Sequence, residues 1–161
     1  MQELLPLGAQ IGALLKARGE TIAVAESSTG GLVSAALLSV PGASEYFVGG
    51  GVLYTRQAVL ALKDTRMEMF TGMRGGTEPW ALMLARTMKE RCSTVWGLGE
   101  SGAAGPAGNR YGDPPGHTCI VLCGPIERTA TIQTGSSDRV ANMRAFSAAA
   151  LKLLLEVLEK K

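Results

Sequence analysis

The chain has 161 residues, of which 46% are apolar and 19% charged, so it can fill the core of one domain over residues 1–161 and is too apolar to be disordered. Sixteen Lys/Arg against fourteen Asp/Glu give a formal charge of +2, too weak for a nucleic-acid footprint. No apolar run reaches membrane-spanning length, and one His with three unpaired Cys (Cys92, Cys119, Cys123) offers no metal-ligand spacing. No nucleic-acid partner, membrane, metal or cofactor is therefore expected. The start, MQELLPLGAQ, lacks the basic region and long apolar core of a signal peptide, and the cysteines fit reduced thiols, so a cytoplasmic protein is expected.

In chain order, Leu4 to Arg18 carries an apolar stripe at helical spacing and ends at Gly19. Thr21–Ala25 reads as a buried strand. It runs into Glu26-Ser27-Ser28-Thr29-Gly30-Gly31, after which helical spacing resumes and stops before Pro41-Gly42. Glu45 to Tyr54 predicts two short strands bent at Gly49-Gly50-Gly51, followed by a short helix over Gln57–Leu62 and a turn at Lys63-Asp64-Thr65. A glycine-rich loop at 71–78 leads to a helix over Trp80–Arg91, with Thr77 as its cap. Thr94–Leu98 is a second buried strand. The glycine- and proline-rich run 99–116 reads as one long loop, a segment type that is commonly functional. His117–Cys123 and Arg128–Thr134 are strands joined at Gly124-Pro125. Ser136-Ser137-Asp138 caps a final helix with a long apolar face.

Strands alternating with helices predict an α/β fold, a three-layer α/β/α sandwich with a mixed sheet. Ligands of such sheets sit beyond the carboxyl ends of strands. The two polar, glycine-rich stretches AESSTGG and GESGAAGP both follow strands, and parallel neighbours would bring them to one crevice. From the residues alone, Ser27 or Ser28 is a candidate nucleophile, with Thr29 and the Gly30 and Gly31 amides as oxyanion donors. The base is open among His117, a lysine and a tyrosine, and His117 reads as structural.

Together AESSTGG (25–31), VPGASEYFVGGGVLYT (40–55), GTEP (76–79), SGAAGP (101–106), the Pro115-Gly116 strand entry, and SSDR with Arg144 resemble the CinA C-terminal domain family, in order and over nearly the whole chain. The resemblance implies an α/β/α fold and, in active members, hydrolysis of the carboxamide of nicotinamide mononucleotide to nicotinic acid mononucleotide and ammonia. It places the nucleophile on Ser27 and the family tyrosine on Tyr54. Expected contacts to a nucleotide substrate are Glu26, Ser28, Thr29, Gly30 and Gly31 at the turn, Ser101, Gly102, Ala104 and Gly105 on the later loop, and Arg144.

Two departures stand out. The family segment YSNEAK, whose lysine serves as base, is Tyr54-Thr55-Arg56-Gln57-Ala58-Val59 here, so Val59 occupies the lysine position. Lys63 would share that face one turn on if the helix continued, roughly 6 Å away, which makes it the substitute base. Glu100 stands where active members carry an uncharged residue, and an ion pair with Arg56 or Arg144 is expected. The alternative to an amidohydrolase is a catalytically silent nucleotide-binding or regulatory homologue. The final helix and the glycine-rich strand offer surfaces for subunit pairing, so a homo-oligomer is expected.

Overall fold

The computed structural model describes residues 1–160. Ten elements form the frame: α1 (Leu5–Arg18), β1 (Ile22–Glu26), α2 (Leu32–Leu38), β2 (Phe47–Val52), α3 (Arg56–Leu60), α4 (Glu78–Cys92), β3 (Trp96–Ala103), β4 (His117–Cys123), β5 (Arg128–Gln133) and α5 (Arg139–Glu159). The strands make one sheet in the order β2-β1-β3-β4-β5. β1 lies parallel to β2 and β3, whereas β3–β4 and β4–β5 are antiparallel. The sheet is mixed, as the sequence pattern predicts.

Helices cover both faces. On one, α1, α2 and α5 bury Ile11, Leu15, Val33, Leu37, Leu151 and Leu154 against Ile22, Val24, Trp96, Leu98, Ile120 and Leu122. On the other, α4 supplies Trp80, Leu84 and Met88 against Ala23 and Ala25, with Val59 and Phe70 from the segment that precedes it. The alternate sides of β1 thus feed two different cores, which is why every residue of that strand is apolar up to Glu26. The apolar face of α5 is used within the chain's own core. The edge strand β2 keeps Val48 and Val52 exposed.

Three elements differ from the sequence expectation. β2 runs unbroken through its three glycines, with the irregularity shifted to its partner between Ile22 and Ala23. The parallel ladder with β1 supplies the hydrogen bonds that the glycines' conformational freedom would otherwise oppose. α3 ends at Leu60, short of Leu62.

The third difference concerns the run GESGA, which is strand and not loop: β3 reaches Ala103, paired along its length with β4 from Gly97↔Cys123 to Ala103↔His117. Its glycines reflect the neighbour above them. A Cβ on Gly99 would lie 2.1 Å from the Ala81 carbonyl oxygen and 2.8 Å from the Ala85 nitrogen, and one on Gly97 would lie 2.3 Å from the Ala85 oxygen. The backbone of α4 rests directly on the centre of the sheet.

Gly99→Ala is accordingly expected to push α4 off β3 and to lower stability by roughly 1–3 kcal/mol or more, as overpacking against a backbone that cannot yield does. Urea unfolding of the two proteins measures it, and an unchanged midpoint would contradict this packing.

Candidate functional site

β1 and β3 are parallel neighbours, so the turn after β1 and the far end of β3 meet at one side of the sheet. There the last residue of β1, Glu26, is wholly buried. Its carboxylate accepts hydrogen bonds from the backbone N–H groups of Gly31 (2.9 Å), Val33 (3.1 Å) and Ser34 (2.8 Å), and from the Ser34 hydroxyl (2.6 Å). These are amides of the first turn of α2, which a helix leaves unpaired. Glu26 is the cap of α2 and does not face the cavity described below.

Glu100 sits on β3, also fully buried. Its Oε2 accepts from the N–H of Ser27 (3.0 Å), the N–H of Thr29 (3.0 Å) and the Thr29 hydroxyl (3.0 Å). Oε1 accepts from the Thr118 hydroxyl at 2.6 Å and from the Ser28 hydroxyl. The expected ion pair with Arg56 or Arg144 is therefore incorrect, and five uncharged donors hold the carboxylate instead. Burying a carboxylate costs several kcal/mol unless its lone pairs are filled, and here they are. The same contacts use up the amides of Ser27 and Thr29. The Gly30 N–H donates to the Ser27 carbonyl, so the glycine amides expected as oxyanion donors are likewise committed within the turn.

A cavity of about 510 Å³ opens beside this turn. Ser27 lines it, together with Tyr54, Arg56, Gln57, Trp80, Ser101, Gly102, Asn109, Arg110 and Tyr111. Among the described residues no hydrogen bond engages the Ser27 Oγ, whereas Ser28 and Thr29 turn theirs to Glu100. Tyr54 is 55% exposed at the rim and accepts a hydrogen bond from Arg139 Nη2 at 3.0 Å. The Ser101 Oγ accepts from the Gly76 N–H at 3.1 Å.

Not every expected site residue is gathered here. Val59 is fully buried in one core cluster with Phe70 and Trp80. Because α3 has already ended, Lys63 lies in an exposed turn and does not line the cavity. Arg144 is exposed on α5 and faces Glu3 at 3.8 Å. Ala104 and Gly105 are buried behind the cavity, their carbonyls held by Asn142 (2.8 Å) and by Arg139 Nη1 (2.7 Å). His117 donates through Nε2 to the Gly76 carbonyl at 2.8 Å, which makes it a structural link.

Sequence reasoning missed Arg139, Arg110 and Tyr111. Arg139 alone carried a signal, since it is the arginine of the SSDR motif in the first turn of α5. Loop 104–116 is fastened by Asp113, which pairs with Arg74 at 2.5 and 3.2 Å and accepts from Asn109 Nδ2 at 2.7 Å. The Arg74 guanidinium holds the Asp113 carboxyl below its ordinary range, with Asn109 adding to the shift. No group of three or more metal-ligating side chains occurs, and no helix is long and apolar enough to cross a membrane, among the described residues.

A family model describing the CinA C-terminal domain matches residues 5–158. The chain belongs to the CinA C-terminal domain family. A CinA-like protein of Desulforapulum autotrophicum is 34% identical over 95% of this chain and 36% of its own length. One from a Synechocystis species is 39% identical over 80% of this chain and 31% of its own. The chain thus spans about a third of the length of these curated relatives. Among solved structures, a CinA superfamily protein from Klebsiella pneumoniae superposes with a TM-score of 0.89 at 23% identity, covering 98% of this chain and 99% of that one. The competence/damage inducible protein CihA from Agrobacterium tumefaciens gives 0.86 at 25% identity, over 97% and 95% of the two chains. These likenesses show that the two structures share this chain's α/β fold.

Replacing Glu100 by Gln removes the charge that the two backbone N–H groups face and sets an NH₂ against the Ser28 and Thr118 hydroxyls, which must turn round to accept, and is expected to lower the unfolding free energy by about 1–3 kcal/mol. Chemical denaturation reads this directly, and an unchanged midpoint would show that the carboxylate does not hold the turn. For Asp113 the folded pKa lies below the ordinary 3.8, so its pair stabilises above that value and is lost as pH falls through the lower folded one. Asp113→Asn should therefore melt a few degrees below wild type at neutral pH and converge with it in strong acid.

Proposed function

We propose that this domain binds a pyridine mononucleotide in the cavity beside Ser27 and does not hydrolyse its amide. The observation that carries the reading is the state of the turn. Ser27 lines the cavity, where no His, Lys, Asp or Glu joins it among the described residues; Glu100 beside it is filled by five donors, and the neighbouring amides that would stabilise an oxyanion are bound to that carboxylate.

The physical consequences multiply. General-base assistance is worth about 10²–10⁴-fold, and each oxyanion donor about 10²–10³-fold. A serine hydroxyl lacking both is a weak nucleophile towards an amide. Val59 fills with core packing the place where the family pattern puts a lysine, and Lys63 sits in an exposed turn outside the cavity lining. Tyr54 receives its hydrogen bond from an arginine, whose guanidinium remains protonated and cannot take a proton onward.

What remains suits binding. The cavity has the volume of a small-molecule site and is lined by aromatic rings, amide and hydroxyl groups, and guanidiniums that match a phosphate. Ser27, Tyr54, Ser101 and Gly102 belong to this reading as contact residues.

Calorimetry with nicotinamide mononucleotide, run beside an ammonia-release assay on wild type and Ser27→Ala, tests it. Saturable binding is expected, with ammonia no higher than in the protein-free control for either protein. Ammonia release by wild type that disappears in Ser27→Ala would establish an amidohydrolase instead. Absence of binding would overturn the nucleotide reading altogether.

A further inference from the structure

Asn109, Arg110 and Tyr111 reach the cavity from the tip of a small closed turn, residues 107–113. The Asn109 Oδ1 accepts from the N–H groups of Tyr111 (3.0 Å) and Asp113 (3.1 Å), and the Asn109 N–H donates to the Asp113 carbonyl at 3.0 Å. An asparagine bonded to the backbone just ahead of it builds its own turn. Arg110 in turn donates to the Tyr111 hydroxyl at 2.8 Å. The tip therefore directs most of its hydrogen bonds to itself.

Below the tip, the loop is tied at both ends. Asn142 and Arg139 hold the Ala104 and Gly105 carbonyls, the Gly116 N–H donates to the Ala103 carbonyl at 2.8 Å, and Gln133 Nε2 reaches the Pro115 carbonyl at 3.3 Å. Between these anchors, no residue from 106 to 115 joins a hydrophobic cluster among the described residues. A segment with so little apolar burial depends on what crosses to it from elsewhere. Arg74 crosses: its two terminal nitrogens meet Asp113 at 2.5 and 3.2 Å, and its guanidinium lies 5.7 Å from the Tyr111 ring centroid. This is the only ion pair between residues 107–113 and the rest of the described chain. The Tyr111 phenol is held below its ordinary range by the bond from Arg110, with Arg56 adding from the cavity wall.

Arg74 itself stands on a fixed mount. The Gly76 N–H donates to Ser101 Oγ at 3.1 Å, the Gly76 carbonyl is held by His117 Nε2 at 2.8 Å, and the Thr77 hydroxyl donates to the Arg74 carbonyl at 2.7 Å. Gly76 has a φ of +72°, and a Cβ there would lie 2.9 Å from Asp113 Oδ2, so the two loops meet at a position only glycine suits. Neither Arg74 nor Asp113 lines the cavity, yet their pair fixes three residues that do.

Building on the nucleotide-binding reading, we infer that residues 107–113 form a lid on the cavity and that Arg74 is a positioning residue, latching the lid through Asp113 so that Arg110 and Tyr111 stand against the ligand. Release of one ion pair frees the tip while the anchors at 104–105 and 115–116 stay in place. A ligand that touches Arg110 and Tyr111 favours the closed lid by its contacts there.

Limited trypsin digestion tests the latch, because the Arg110–Tyr111 bond sits at the exposed tip and is cut from the open lid. Wild type, Arg74→Gln and Arg74→Lys are digested with and without nicotinamide mononucleotide, following fragments 1–110 and 111–161. Arg74→Gln is expected to be cut after Arg110 about fivefold faster than wild type, the scale of one partly exposed ion pair. Arg74→Lys keeps the charge without the fork and should fall between the two. Cleavage after Lys63, in another exposed turn, should run at one rate in all three proteins. The mononucleotide, at a concentration that saturates wild type by calorimetry, should slow the cut after Arg110 and leave that after Lys63 unchanged. Equal Arg110 rates in wild type and Arg74→Gln, or a rise shared with Lys63, would overturn the latch. Calorimetric binding that leaves the Arg110 cut as fast as before would sink the closure of the lid on its ligand. If wild type binds no mononucleotide, the nucleotide reading falls, and the latch stands or falls on the Arg110 rates alone.

Discussion

A carboxylate in a protein interior must be filled with hydrogen-bond donors or it destabilises the fold. Glu100 meets that condition by drawing in the turn after β1, whose two amides and two hydroxyls converge on it, and a hydroxyl from β4. Three segments far apart in the chain are thereby tied at one point beneath the cavity. Glu26 performs the same service one residue before Ser27, where the first amides of α2 would otherwise lie open. Between them the two acids consume the hydrogen-bonding capacity that makes such a turn attractive to an anion. The turn is rigid and electrostatically saturated.

That saturation shifts the chemistry of the cavity to its opposite wall. The floor, made by Ser27 and the end of β3, presents one free hydroxyl. The wall, made by α3 and loop 104–116, presents guanidiniums over aromatic rings. Positive charge is concentrated on the wall, and the floor supplies shape. Arg139 joins the two flanks at the mouth, with one nitrogen on the Tyr54 hydroxyl and another on the Gly105 carbonyl.

The strand cores were legible in the sequence because their apolar runs are buried on both faces, and Ser27 was legible because it ends such a run. Glycine content misled at β3, since close approach of α4 and loop flexibility leave the same compositional mark. The partners of Glu100 were not readable at all: four of its five donors lie 71 to 73 residues away and the fifth 18, and nothing local distinguishes capping a turn from pairing with an arginine. Lys63 is not carried to the cavity wall because α3 stops at Leu60, which breaks the helical spacing on which its placement depended. Arg139 and Arg144 lie five residues apart on α5, about 140° around the helix, so only one of them can face Tyr54. Spacing alone did not say which.

The direct seating of α4 on Gly97 and Gly99 has a consequence for how this scaffold can diversify. The cavity floor hangs from the tightest-packed seam of the molecule, where even a methyl group is excluded. Its wall is carried by a short helix and an irregular loop, which present Arg56, Arg110 and Tyr111 to the cavity. Chemical identity and mechanical frame are thus held by different residues. A lineage built on this frame can exchange one bound metabolite for another by rewriting a few wall positions, with the sheet beneath unaware of the change.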